Sequence, residues 1–306
     1  MHYDIIGDIH GHADALERLL KKMGYERPAH SHFRHPERKA VFVGDYIDCG
    51  PQSREVVEIV RSMEQNGAAI AIMGNHEYNA LCYHAPAKNG GYLREHSKKN
   101  RGQHVMTLKS FNNDAGSLSE VLGWFQSLPV FYENEHFRAV HACWDESSIR
   151  YFEDRFKGNK LPQWALDESV DKSSPLYDVI ENVLKGPELC LPAGAEFMDK
   201  YQSRRRHVRS KWWVDPAGKK YRDVALSVDK GNAFLDAVIP DECTEKAIVY
   251  KAGDKPVFFG HYWLKGEPII QTPNVCCVDY SIAKGGKLVA YRYNGEDILD
   301  NNSIIS

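Results

Sequence analysis

The chain has 306 residues, 42% of them hydrophobic and 26% charged, with a formal net charge of -3. That is the composition of a globular protein with one large core or two ordinary ones, and its near balance of charge gives no reason to expect nucleic acid or an anionic membrane as an obligatory partner. No apolar run approaches the roughly 20 residues needed to cross a bilayer. A strand begins at once at the N-terminus, where a signal peptide would otherwise stand. The seven cysteines, odd in number and without a C-x-x-C pair, predict the thiols of a reducing compartment rather than a disulfide framework, so a cytoplasmic location is expected.

Ile5 and Ile6 predict a short buried strand, and Gly7 lets the backbone turn off its end. If the next segment is extended, Asp8 and His10 leave on one face, and a carboxylate beside an imidazole is half a metal site. Ala15, Leu16, Leu19, Leu20 and Met23 form a helical stripe that ends at Gly24. The polar loop after it carries His30, His32 and His35 with only Glu37 as acidic neighbour, a weak basis for a metal site.

Ala40 to Val43 is a second buried strand, ending in Gly44-Asp45-Tyr46-Ile47-Asp48-Cys49-Gly50. A helix is predicted over 53–66, with Ser53 as its N-cap. The third strand, 68–73, ends in Gly74-Asn75-His76-Glu77. Alternating strands and helices imply a parallel sheet, whose ligands bind beyond the carboxyl ends of the strands, so three strand ends converge on one place.

Residues 88–116 read as loops and a short helix, and 129–132 with 137–142 as a hairpin turning at 133–135. Residues 144–255 show no ligand-bearing strand and read as an insertion marked by Gly-Pro and Pro-x-Gly turns. Apolar strands return at 257–263, 275–280 and 287–293.

Asp8, His10, Asp45, Asn75, His141 and His261 each follow a short apolar run. Any one of them would more often be a cap or turn residue. Together their carboxylate, imidazole and amide oxygens suit a pair of divalent ions such as Mn²⁺, Fe or Zn²⁺, and a carboxylate shared between two ions would make a two-metal hydrolase site.

At these positions the chain resembles the calcineurin-like metallophosphoesterase superfamily, closest to its branch of serine/threonine protein phosphatases and symmetrical diadenosine tetraphosphatases. Gly7-Asp8-Ile9-His10-Gly11, Gly44-Asp45-Tyr46-Ile47-Asp48 and Gly74-Asn75-His76-Glu77 match that branch's motifs, as do Val140-His141-Ala142 and Gly260-His261. The resemblance implies an α/β fold with a central β-sandwich flanked by helices, one domain over 1–306 with a cap-like insertion at about 144–255. It implies Asp8 and His10 as ligands of one ion, Asp45 as the bridge, and Asn75, His141 and His261 on the other. Manganese is the expected metal, with iron or zinc as alternatives. His76 takes the general-acid position and Asp48 that of the carboxylate orienting it. Some branches place a further ligand two residues beyond the last histidine, but here that residue is Trp263.

The pattern breaks at Cys49, where the branch has an arginine that contacts substrate phosphate. A basic stretch with interleaved aromatics, residues 200–213, offers a replacement, and Arg205 or Arg209 is expected to reach over the metals. Arg54 and Arg94 are weaker alternatives on the rim. The expected activity is metal-dependent hydrolysis of phosphomonoesters, phosphoproteins among them. Dinucleoside polyphosphate hydrolysis is the alternative, and a non-catalytic module binding nucleic acid or a partner is a distant third. The expected partner is a phosphorylated protein or nucleotide substrate.

Overall fold

Three parallel strands, β1 (His2–Ile6), β2 (Arg38–Phe42) and β3 (Ala69–Ala71), lie side by side, linked by helices α1 (Ala13–Lys22) and α2 (Ser53–Gln65). The computed structural model describes residues 2–112, 114–198, 204–245 and 247–306. Helix α1 buries Ala13, Leu16, Leu19 and Leu20, with Asp14 in its first turn and Lys21 and Lys22 in its last, charges that oppose the helix dipole. Ser53 is the first helical residue of α2 rather than its cap, which is Gln52.

Beyond β3 come α3 (Asn75–His84), α4 (Lys98–Ser110) and α5 (Ala115–Ser127). The loops and short helix expected over 88–116 are therefore corrected, since α4 alone runs 13 residues. Its buried positions include His104 and Thr107, both polar, and a helix whose inner face is polar shows no apolar stripe to read. The predicted hairpin follows as β4 (Phe131–Glu133) and β5 (Arg138–Val140).

The insertion carries α6 (Glu146–Phe156), α7 (Leu166–Ser169), α8 (Pro175–Lys185), β6 (Glu188–Cys190), β7 (Phe197–Met198), β8 (Arg204–Arg205), β9 (His207–Arg209), α9 (Tyr221–Val224) and α10 (Asp241–Thr244). Among the described residues its strands pair with each other, β6 with β9 and β7 with β8. Leu189, Val208, Tyr221, Phe234 and Ile239 give it a small core of its own. A disulfide joins Cys190 on β6 to Cys243 on α10, which corrects the expectation of thiols alone. The pair is 53 residues apart, so no local spacing announces it.

The chain then adds β10 (Val257–Phe259), β11 (Val275–Cys277), β12 (Asp279–Tyr280), β13 (Lys287–Leu288), β14 (Ala290–Tyr293) and β15 (Ile304–Ile305). One sheet runs β15-β14-β1-β2-β3 and the other β11-β10-β5-β4. Alternate residues divide between two cores. Ile5, Val41, Ala139, Phe258, Cys276, Tyr291 and Tyr293 meet between the sheets. Ile6, Phe42, Val140, Val257, Phe259 and Cys277 face outward under the helices. Strands buried on both faces read as continuous apolar runs, which is why each shows so plainly in the sequence. The result is the expected β-sandwich flanked by helices.

Candidate metal centre and cleft

The ends of β1, β2 and β3 are drawn together by backbone contacts that leave no room for side chains. A Cβ on Gly74 would stand 2.3 Å from the Asp45 amide nitrogen, and one on Gly260 1.9 Å from Asp8 Oδ1. Ile9 and His10 both donate their N–H groups to the Asp45 carbonyl, at 3.1 and 2.8 Å. His10, Asp45 and His261 have left-handed backbones, with φ of 47°, 55° and 70°. Strain of this kind persists where surrounding bonds over-determine it, and it gathers at functional sites.

All six predicted ligands are buried in one cluster. Asp45 lies at its centre, Oδ2 3.5 Å from His10 Nε2 and Oδ1 3.4 Å from His141 Nε2. Asn75 Oδ1 is 3.0 Å from His141 Nε2 and 2.7 Å from His261 Nδ1. His10 Nδ1 and His141 Nδ1 face the carbonyls of Ile47 and Val43, which directs their Nε2 lone pairs inward. Two groups of ligand atoms fall within 4.8 Å, His10 with Asp45 and His76, and Asp45 with His141 and His261. Asp45 belongs to both.

The donor set fits cations. Asp8 Oδ1, His10 Nε2, Asp45 Oδ2 and His261 Nε2 are buried without a hydrogen-bond partner, a condition native interiors avoid. Burial, with Asp279 and Asp45 nearby, pushes the Asp8 carboxyl well above the usual range. Burial opposes the Asp45 charge too, yet His141, His76 and His10 outweigh it and hold that carboxyl well below. Burial lowers His10 to about 4, and burial together with Arg209 holds His261 well below its ordinary value. Neutral imidazoles and crowded carboxylates are what a divalent ion stabilises.

His76 Nδ1 lies 2.6 Å from Asp48 Oδ2. Burial works against the imidazolium, but Asp45 and the hydrogen-bonded Asp48 prevail and raise His76 to about 9. Three further residues carry weight here that the sequence did not reveal. Glu77 accepts from the N–H groups of Asp45, Gly74 and Tyr46, tying two strand ends together. Its signal was a carboxylate three residues past the helix-capping Gly74. Asp279 accepts from the Trp263 and Ser281 N–H groups and stands close enough to Asp8 to raise its pKa. His104 bonds Asp48 from α4.

A cleft of about 900 Å³ opens beside the cluster, lined by Asp48, Asn75, His76 and His261 on its floor and by Arg94, Arg205 and Arg209 on its walls. Residues 200–203 of the basic stretch lie outside the described residues. Arg205 is ion-paired with Glu188 at 2.6 Å. Arg209 lies 5.8 Å from the Tyr262 ring centre, and burial lowers its pKa. Trp212 and Trp213 are buried against Phe259, and Trp212 Nε1 donates to the Ala142 carbonyl, which anchors β9 beside the two late histidines. Arg94 is held by two neutral amides, Asn79 at 2.9 Å and Gln103 at 2.8 Å. Arg54 instead pairs with Glu58 and Asp114 and is not part of the cleft lining. The Trp263 ring packs 5.3 Å from that of His10.

Comparisons with known proteins agree with this geometry. The calcineurin-like phosphoesterase profile matches residues 1–262. A symmetrical bis(5'-nucleosyl)-tetraphosphatase from Dechloromonas aromatica is 24% identical over 96% of this chain and 93% of its own length. An asymmetrical bis(5'-nucleosyl)-tetraphosphatase, PrpE, from Halalkalibacterium halodurans is 46% identical, over 25% of this chain and 31% of its own. Among solved structures, the cold-active protein-tyrosine phosphatase of a Shewanella species shares the fold, with a TM-score of 0.51 at 17% identity over 98% of this chain and 80% of its own. No helix among the described residues is long and apolar enough to cross a membrane. The chain belongs to the calcineurin-like phosphoesterase family and is a phosphoric ester hydrolase.

Proposed function

We propose that the enzyme works with two divalent ions, manganese foremost, one held by Asp8, His10 and Asp45 and the other by Asp45, Asn75, His141 and His261. The observation that carries this reading is the buried Asp45 carboxylate, which belongs to one ligand group with His10 and to another with His141 and His261. When bound, such a pair lowers the pKa of water and neutralises phosphoryl oxygens. The chain's own residues supply the rest. His76, protonated and held by Asp48, donates its Nε2 proton to the leaving oxygen. Arg209, on the cleft wall, grips the phosphoryl oxygens in place of the arginine replaced at Cys49.

The same chemistry serves phosphoproteins and dinucleoside polyphosphates. We favour the dinucleoside polyphosphate, because a cleft of about 900 Å³ with Arg94 and Arg209 on its walls exceeds what one phosphate needs. The likeness to the Dechloromonas aromatica tetraphosphatase over nearly its whole length supports this. We place the protein in the cytoplasm. The test is a panel of diadenosine tetraphosphate, phosphoserine peptide and phosphotyrosine peptide with metal-reconstituted protein. Preferred turnover of the tetraphosphate is expected. Preferred turnover of a peptide reverses the order of the two readings, and absent turnover with salt-sensitive binding of RNA leaves only a binding module.

A further inference from the structure

Asp48 is fixed by more bonds than orienting one histidine requires. Its backbone is left-handed, with φ 69°, a conformation that costs energy for any residue other than glycine. Its N–H reaches both Thr107 Oγ1, at 3.0 Å, and Ser53 Oγ, at 3.2 Å. The Thr107 hydroxyl then turns its own proton to Asp48 Oδ1 at 2.5 Å, and His104 Nδ1 approaches the same oxygen at 3.0 Å. The other oxygen, Oδ2, meets His76 Nδ1 at 2.6 Å. His104 and Thr107 are three apart on α4 and so share one face of that helix. Both are buried.

The protons of this network can be assigned in sequence. An ionised carboxylate only accepts, so His104 Nδ1 carries a proton toward Asp48. In neutral His104 the other nitrogen, Nε2, must then accept, and it faces His84 Nε2 at 3.2 Å. His84 therefore donates, and the chain of bonds runs from His84 through His104 to one oxygen of Asp48, with His76 on the other.

We propose that His104 and Thr107 are positioning residues for His76: they lock the Asp48 carboxylate in the orientation that presents the His76 imidazole to the leaving group, and His84 sets the His104 tautomer. The proposal rests on the reading of His76 as proton donor. In that step the bond from phosphorus to the leaving oxygen breaks with its electron pair on that oxygen. The oxygen takes the His76 Nε2 proton, His76 becomes neutral, and Asp48 stays ionised until solvent restores the proton. Without His104 and Thr107, Oδ1 loses both of these donors and the carboxylate can rotate away from His76. Misplacing a reacting group by about 1 Å costs about a hundredfold in rate.

The test compares His104→Phe, Thr107→Val and His104→Asn in metal-loaded protein, on phenyl phosphate and p-nitrophenyl phosphate. Phenolate must be protonated as it leaves, whereas p-nitrophenolate departs as a stable anion. General-acid catalysis contributes about 10² to 10⁴ in rate, so His104→Phe and Thr107→Val should lower kcat on phenyl phosphate at least about tenfold further than on p-nitrophenyl phosphate, with KM nearly constant. His104→Asn, whose amide N–H stands where Nδ1–H stood, should restore the ratio. Imidazole ¹H–¹⁵N spectra give a second reading independent of turnover: the downfield His76 Nδ1 proton should persist in His104→Asn and vanish in His104→Phe. Equal losses on both esters, or a His76 signal unchanged in His104→Phe, would overturn the proposal. If the native protein cleaves neither ester, the reading of His76 as proton donor in phosphomonoester cleavage fails while the spectra still decide this one.

Discussion

Glu77 Oε2 accepts the Asp45 N–H at 2.8 Å, so the carboxylate at the centre of the candidate ligand cluster has its backbone held by a second buried carboxylate 32 residues later. The same side chain takes the Gly74 N–H at 2.9 Å and the Tyr46 N–H at 2.8 Å. Burial, with Asp45 alongside, raises the Glu77 pKa to about 7. Replacing Glu77 with glutamine puts an amide N–H against one pair of these donors. A buried unsatisfied group costs about 1–3 kcal/mol, so urea unfolding should show a loss of that size. Metal affinity should fall about tenfold as Asp45 loses its orientation, since partners that orient ligands carry effects of about 10–100-fold. Unchanged stability and metal binding would mean that Glu77 is dispensable.

The shared position of Asp45 makes a stoichiometric prediction. Asp45→Asn should hold at most one ion per chain in equilibrium dialysis with Mn²⁺, where two are expected of the native protein. Its turnover should fall by at least about two orders of magnitude, because a two-ion clamp stabilises both attacking and leaving oxygens. Two ions retained in the variant would remove Asp45 from the bridging role.

Arg209 and Arg205 should separate cleanly. Arg205 is already neutralised by Glu188 at 2.6 Å, whereas the Arg209 guanidinium lies 5.8 Å from the Tyr262 ring centre. A hydrogen bond to a charged group is worth about 1.5–3 kcal/mol. Arg209→Ala should therefore lower kcat/KM roughly 30-fold, about 2 kcal/mol, and Arg205→Ala only a few-fold by the same scale. Equal losses in the two variants would return Arg205 to the site.

Acid stability should report on His84. Burial, with His104 and His96 nearby, lowers it from 6.5 to about 4. Between those values the unfolded chain binds a proton that the folded chain does not, so stability rises with pH across that window and is lost as pH falls from 6.5 toward 4. His84→Gln, which can still donate to His104, should show a shallower fall in urea midpoint over the same range. Parallel curves would show that His84 titrates alike in both states.

Much of this was legible because of where the ligands stand. Strands buried on both faces print themselves as apolar runs, and each run ends in glycine and a polar residue because strand ends meet too closely for a Cβ, as Gly74 and Gly260 do. Asp8, His10, Asp45, Asn75, His141 and His261 could therefore be read off the chain, with His76 and Asp48 beside them. What surrounds them could not. His104 and Thr107 lie on a helix with a polar inner face, so no hydrophobic period marked it, and they meet Asp48 across 56 and 59 residues. Cys190 and Cys243, 53 residues apart, are joined only because the insertion builds a core of its own. Sequence alone determined which side chains could hold ions, because a short motif keeps its residues together whatever the rest does. Tertiary structure decided which groups hold those side chains in place and that Arg205 is paired with Glu188, because both depend on contacts between segments apart in the chain.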